Sequence, residues 1–254
     1  MRRLVSVLIW MGIFLLVLLW VPLLAIIFAF TAPFDPGRYT AGRWFRRAAV
    51  AAVWLNPLWK FRTSGVLITD PRRPYVAVAN HESYADIFLV SHLPWEMKWL
   101  SKAEIFNVPL MGWMMRMAGD IAVHRGRADS RADALRGIRD RLSKNVSVMI
   151  MPEGTRSEKA ELLPFRDGVF RAAIEHSAPI LPIAIAGTRH AMKKRSLIFN
   201  RAVAEARVLE PIETAGMTLK DVPRLRDDVR NRIDVARREL QRELGVAPEI
   251  PDAS

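Results

Sequence analysis

From Leu4 to Phe30 the chain runs for 27 residues without a charged side chain. As a helix rising about 1.5 Å per residue, that run reaches roughly 40 Å, more than the hydrocarbon core of a bilayer at about 30 Å. A secretory signal peptide has a shorter apolar core, about 7–15 residues, so a retained membrane element is expected. Pro22 is placed to kink or end the helix. Whether the run spans once or dips into one leaflet as half of a helical hairpin stays open at this point.

Turn formers fill Thr31 to Gly37, and a different kind of helix follows over residues 40–59. Arg43, Arg46 and Arg47 fall on one face, and Trp44, Ala48, Ala51 and Leu55 form an apolar stripe. Trp54 and Trp59 add rings suited to the headgroup region. This segment is expected at the membrane interface rather than packed on a soluble domain.

The net charge is +12. Residues 1–64 hold eight basic residues against Asp35 alone, whereas residues 219–254 hold eight of each sign. The excess sits beside the most apolar part of the chain, which suits anionic lipid headgroups and argues against nucleic acid as a partner. If the apolar run spans, the heavier basic cluster after it puts the rest of the chain on the cytoplasmic side. There is no cysteine, so disulfides, thiolate metal sites and a cysteine nucleophile are excluded.

Beyond Pro57, short apolar runs alternate with helical patterns. Strands are expected at Val66–Thr69, Tyr75–Ala79, Met97–Leu100, Ile121–Val123, Val146–Met151, Ile180–Ala186 and Val203–Leu209. Leu135, Ile138 and Leu142 mark a helix between two of them, and Asp167–His176 reads as another. Leu219–Leu244 is a long charged helix with one packed stripe, Leu225, Val229, Ile233 and Leu240. The expected fold is therefore α/β, a mixed sheet flanked by helices, with an N-terminal membrane-embedded helical segment. The expected division is 1–60 as anchoring helices, 61–218 as the α/β domain and 219–254 as a charged helix and tail.

Two strands end abruptly in polar residues, where α/β domains usually hold their chemistry. After Val78-Ala79 come Asn80-His81-Glu82-Ser83-Tyr84-Ala85-Asp86. With His81 just ahead of a helix and Asp86 in its first turn, Asp86 can accept the Nδ1 proton and leave Nε2 as a base. After Met149-Ile150-Met151 come Pro152-Glu153-Gly154-Thr155-Arg156-Ser157. Arg156 there offers a planar fork that suits a phosphate monoester. His92, His124, His176 and His190 are scattered without paired-ligand spacing, so no metal site is expected.

Together these segments resemble the glycerolipid acyltransferase family that includes the 1-acylglycerol-3-phosphate acyltransferases. Asn80-His81 through Asp86 matches that family's NHxxxxD motif. Gly119-Asp120-Ile121-Ala122-Val123-His124-Arg125 is similar to its second motif, and Pro152 to Ser157 matches its third. Ala178-Pro179-Ile180-Leu181-Pro182-Ile183 is similar to its fourth, and Lys102-Ala103-Glu104-Ile105-Phe106 to the stretch between the first two. The blocks occur in the family's order over about residues 60–190. His124, Ala122 and Arg166 depart from the residues the family often carries there, which bears on acceptor preference rather than reaction class.

The resemblance implies direct transfer of an acyl group from a thioester, carried by coenzyme A or acyl carrier protein, to the hydroxyl of lysophosphatidic acid, with no bound cofactor. It implies His81 as general base and Asp86 as its orienting partner. Arg156, Arg125 and Lys102 are the candidates for the acceptor phosphate. Glu153 is expected to contact the glycerol or brace the arginines, and Gly154 and Thr155 to touch substrate or shape the turn. Met111, Trp113, Met114 and Met115 are read as packing residues or as an acyl channel. The alternatives are an acceptor that is another lysolipid or glycerol-3-phosphate, and, from another class, a non-enzymatic basic membrane adaptor.

Overall fold

The computed structural model describes residues 2–124, 128–156, 161–192 and 196–246. In chain order these form α1 (Arg2–Thr31), α2 (Tyr39–Trp54), β1 (Trp59–Gly65), β2 (Val76–Ala79), α3 (Ala85–Val90), β3 (Met97–Lys102), α4 (Met111–Ala118) and β4 (Ile121–Val123). Then come α5 (Ala128–Ser143), β5 (Ser147–Ile150), α6 (Gly168–Glu175), β6 (Ile180–Ala186), β7 (Ala202–Val208) and α7 (Val222–Glu243).

The seven strands make one mixed sheet in the order β1-β7-β6-β2-β5-β3-β4. The run from β6 to β4 is parallel, β7 is antiparallel to β6, and β1 is parallel to β7. β2, β5 and β6 are buried at every position, as parallel strands covered on both faces must be. One face packs on α5, α6 and α7, where Leu225, Val229, Ile233 and Leu240 form the expected stripe. The other face holds Leu89, Trp95, Met97 and Trp99. Because β2 to β6 share one direction, the residues that leave their C-terminal ends gather along one edge of the sheet.

Three expectations are corrected. The strand expected at Val66–Thr69 is instead β1, Trp59–Gly65. β1 is an edge strand that buries Trp59 and leaves Lys60, Arg62 and Ser64 outside, so its polar composition hid it from an apolar search. For the same reason the helix expected over 40–59 ends at Trp54. The three arginines of α2 do not share a lipid-facing surface. Arg46 is buried and salt-bridged to Asp120, and Arg43 donates to the Leu93 carbonyl at 2.6 Å. Only Arg47 stands outside, over the ring of Trp44. α2 packs on the domain because Arg46 finds buried carboxylates there and Arg43 a backbone carbonyl.

α1 is long and apolar enough to cross a membrane. It does not stand clear of the domain but lies along it. Near its start, Ser6 Oγ accepts from the Phe199 amide at 3.0 Å. Near its end, Leu24 is buried with Phe45, Met114 and Met115. Leu8, Met11, Leu15, Leu19, Ile26 and Phe30 face outward. Met114 and Met115 are thus packing residues between helices, while Trp113 is exposed.

Candidate active site

At the end of β2 the chain leaves the sheet through Asn80, whose amide is tied to both backbone groups of Ile185 on β6, at 2.9 and 2.8 Å. That bridge fixes the next residue. His81 Nδ1 lies 2.7 Å from Asp86 Oδ2. The same oxygen accepts the amides of Glu82 at 2.8 Å and Ser83 at 3.0 Å. Asp86, in the first turn of α3, thus pulls the preceding loop into a hook around its carboxylate. With a carboxylate opposite, Nδ1 carries the hydrogen, and Nε2 keeps its lone pair. Asp86 is fully buried, and 15% of the His81 side chain is exposed.

Glu153, leaving the end of β5, holds the hook in place from the other side. Its Oε1 accepts the His81 amide at 2.8 Å and its Oε2 the Leu163 amide at 2.9 Å. Glu153 therefore braces backbone rather than arginines. Burial pushes its carboxyl up, opposed by those two amides and by His81. Gly154 has φ +70°, and a Cβ there would meet the Arg166 guanidinium at 2.7 Å. This close approach explains glycine and brings Arg166 into the turn. Thr155 is exposed. The Arg156 guanidinium lies 3.8 Å above the ring of Tyr84, three residues from His81.

His81, Asp86, Glu153, Gly154 and Arg156 are thus assembled at one corner. Lys102 ends β3 on the same sheet edge, with β5 between it and β2, and pairs with Glu104 at 3.3 Å. Arg125, the remaining phosphate candidate, and Ser157 lie outside the described residues. A cavity of about 260 Å³ lined by Arg73, Leu142 and His176 opens beside the starts of β2, β5 and β6, at the opposite edge of the sheet.

The family model described as Acyltransferase matches residues 61–186, a span that contains all of this corner. A 1-acyl-sn-glycerol-3-phosphate acyltransferase of Saccharomyces cerevisiae is 30% identical over 187 residues, 72% of this chain and 60% of that protein. Residues 61–186 of the chain belong to the acyltransferase family. A second member, the human 1-acyl-sn-glycerol-3-phosphate acyltransferase alpha, is 32% identical over 67% of this chain and 61% of its own length. This chain spans about 60% of the length of both. The fold is that of the crystal structure of the 1-acyl-sn-glycerophosphate (LPA) acyltransferase PlsC from Thermotoga maritima. The TM-score is 0.74 at 22% identity, over 97% of this chain and 99% of that one.

Sequence reasoning missed Glu82, Tyr84 and Thr188. Glu82 is buried in the hook, and Thr188 follows Gly187 at the end of β6 and donates its hydroxyl to Asp86 Oδ1. The rule that found His81 and Glu153, a buried strand breaking into polar residues, would have found Thr188 had it been applied to Gly187-Thr188-Arg189. No sequence signal pairs Tyr84 with Arg156.

Proposed function

We propose that this protein transfers a fatty acyl group from an acyl thioester, on coenzyme A or acyl carrier protein, to the free hydroxyl of 1-acylglycerol-3-phosphate, giving phosphatidic acid. The observation that carries the reading is the 2.7 Å contact between His81 Nδ1 and Asp86, which leaves Nε2 as a base. Nε2 takes the proton of the acceptor hydroxyl as its oxygen attacks the thioester carbonyl. The tetrahedral intermediate collapses, the C–S bond breaks, and the thiolate leaves with the proton His81 had taken. Ester and thiol are the products, and no enzyme-bound acyl group is needed.

Asp86 keeps the imidazole in the working tautomer and balances the imidazolium that forms in the transition state. Arg156 holds the acceptor phosphate, with Arg125 and Lys102 as further cations. Binding at a group remote from the reacting hydroxyl lowers the entropic cost of bringing it to His81. The apolar outer side of α1 embeds the protein in the membrane that holds its lipid substrate. Because α1 is packed along the domain, insertion into one leaflet fits better than a crossing. The domain works on the cytoplasmic side, where acyl thioesters are held.

The test uses the full-length protein in phospholipid vesicles with labelled acyl donor and a panel of acceptors, read by lipid mass. Lysophosphatidic acid is expected to be the preferred acceptor, and His81→Ala to lower turnover about 10²- to 10⁴-fold. Turnover of His81→Ala equal to the wild type would overturn the mechanism. Preference for glycerol-3-phosphate or another lysolipid would overturn the substrate assignment.

A further inference from the structure

The His81–Asp86 pair accounts for one oxygen of Asp86. The other, Oδ1, points inward and accepts the hydroxyl hydrogen of Thr188, which is itself fully buried. The same hydroxyl lies 3.4 Å from Glu82 Oε2. A hydroxyl has one hydrogen to give and two lone pairs with which to accept. Having donated to Asp86, Thr188 can only accept from Glu82, so that contact is attractive when the Glu82 carboxyl carries a proton.

The surroundings of Glu82 agree with this. From its own loop and α3 it faces Asp86. From the turn after β6 it faces Thr188, the backbone amide of Arg189 and the Arg189 charge. From α7 it faces the Arg237 charge. Burial first, and then the Asp86 charge, push the Glu82 carboxyl up to about 7, against the two arginines. Thr188 is brought to Asp86 by Gly187, whose φ is +91° and whose Cβ, if present, would meet the Val203 carbonyl at 2.1 Å.

We propose that Glu82 and Thr188 are positioning residues of the acyl transfer, forming with Asp86 and His81 one hydrogen-bonded chain that runs from the Glu82 hydroxyl through Thr188 and Asp86 to the imidazole. This rests on the reading of His81 as base. Thr188 fixes the rotation of the Asp86 carboxyl, and so the aim of Oδ2 at Nδ1. When Glu82 loses its proton, Thr188 is left between two bare carboxylates. The chain then breaks and turnover falls.

The experiment measures kcat and KM for acyl transfer across the neutral pH range in vesicles, for wild type, Thr188→Val, Thr188→Ser and Glu82→Gln, with His81→Ala as control. Thr188→Val keeps the shape and removes the hydroxyl. It is expected to lower kcat about ten- to a hundredfold with KM little changed, and Thr188→Ser to recover most of that loss. The wild-type kcat is expected to fall as pH rises through about 7, and Glu82→Gln, which keeps a donor at every pH, to lose that limb. Equal damage from Val and Ser, or a wild-type pH profile in Glu82→Gln, would overturn the chain. Should Thr188→Val fail to fold, Thr188→Ser and the Glu82→Gln profile decide. An inactive His81→Ala beside an unimpaired Thr188→Val overturns this inference alone. A fully active His81→Ala overturns the base assignment on which it rests.

Discussion

Two clusters of buried charge lie on this sheet, one at β3 and β4 and one at the end of the central strand β2, and they are balanced in different ways. Under α2, Arg46 and Lys98 meet Glu96 and Asp120. Lys98 Nζ lies 3.0 Å from Glu96 and Arg46 is bound to Asp120. All four residues are buried. At the end of β2, by contrast, Glu82, Asp86 and Glu153 gather around the His81 loop, with Asp86 on the imidazole, Glu153 on the backbone amide and Glu82 on the Thr188 hydroxyl. The first cluster is balanced by side-chain cations. In the second, backbone amides, a hydroxyl and a proton share the balancing with the charges of Arg189 and Arg237. Burial pushes the Glu96 carboxyl up and the Lys98 ammonium down, each opposed by the other's charge. Ion pairs of that kind hold elements in place. A cluster in which burial and a neighbouring carboxylate raise a carboxyl to about 7 is one whose proton content changes near neutral pH, which is what acid–base chemistry requires.

The comparison breaks most visibly at Arg46. Arg46→Ala leaves Asp120 buried without its cation and Glu96 with Lys98 alone, a change that typically costs about 3–5 kcal/mol. Chemical denaturation in detergent is expected to register that loss, while kcat per folded molecule stays at the wild-type value. A loss of kcat at unchanged stability would mean that the α2 cluster belongs to the reaction and not to the frame.

The frame cluster was also the hardest part to read from sequence. Arg43, Arg46 and Arg47 at i, i+3 and i+4 looked like an interfacial face, because the partners of Arg46, Glu96 and Asp120, lie 50 and 74 positions away. A helix pattern records which residues share a face and is silent on distant charges that meet it. β1 was missed on similar grounds, since an edge strand needs few apolar residues. The central strands were legible because burial on both faces demands continuous apolar runs. His81, Asp86 and Glu153 were legible because such runs broke into polar residues at the productive end of the sheet. Thr188 broke a run in the same way, but hydroxyls are common in turns and its partner lies 102 positions off.

The pH dependence of stability sharpens the contrast further. The Glu82 carboxyl is raised from an ordinary 4.5 to about 7 by burial and by Asp86. The folded protein therefore keeps a proton that the unfolded chain releases above about 4.5. Its stabilising effect is complete below that pH and is lost as pH rises through about 7. Glu82→Gln has no proton to lose. The stability of Glu82→Gln relative to wild type should rise across this window by up to about 3 kcal/mol and then level off. Denaturation curves at several pH values measure it. A flat difference would mean that Glu82 is no more protonated folded than unfolded.

The smallest effect is expected at Arg156, and it separates a cation kept for substrate from one kept for structure. Arg46 has two carboxylates. Arg156, among the described residues, has the face of Tyr84 and no carboxylate. A guanidinium stacked on a ring keeps its fork of donors available for a bidentate anion. Losing one charge-assisted contact costs about 1.5–3 kcal/mol. Arg156→Ala should therefore lower kcat/KM for lysophosphatidic acid roughly ten- to a hundredfold. Arg156→Lys should recover only part, because an ammonium neither stacks on Tyr84 as a plane nor offers two parallel donors. An acceptor without the phosphate never makes the contact, so its transfer should be slow in the wild type and little slower in Arg156→Ala. If Arg156 only stiffens the turn after β5, both acceptors lose the same factor, since a displaced His81 serves neither. Proportional losses for the two acceptors would therefore remove Arg156 from the phosphate site and return it to the frame with Arg46.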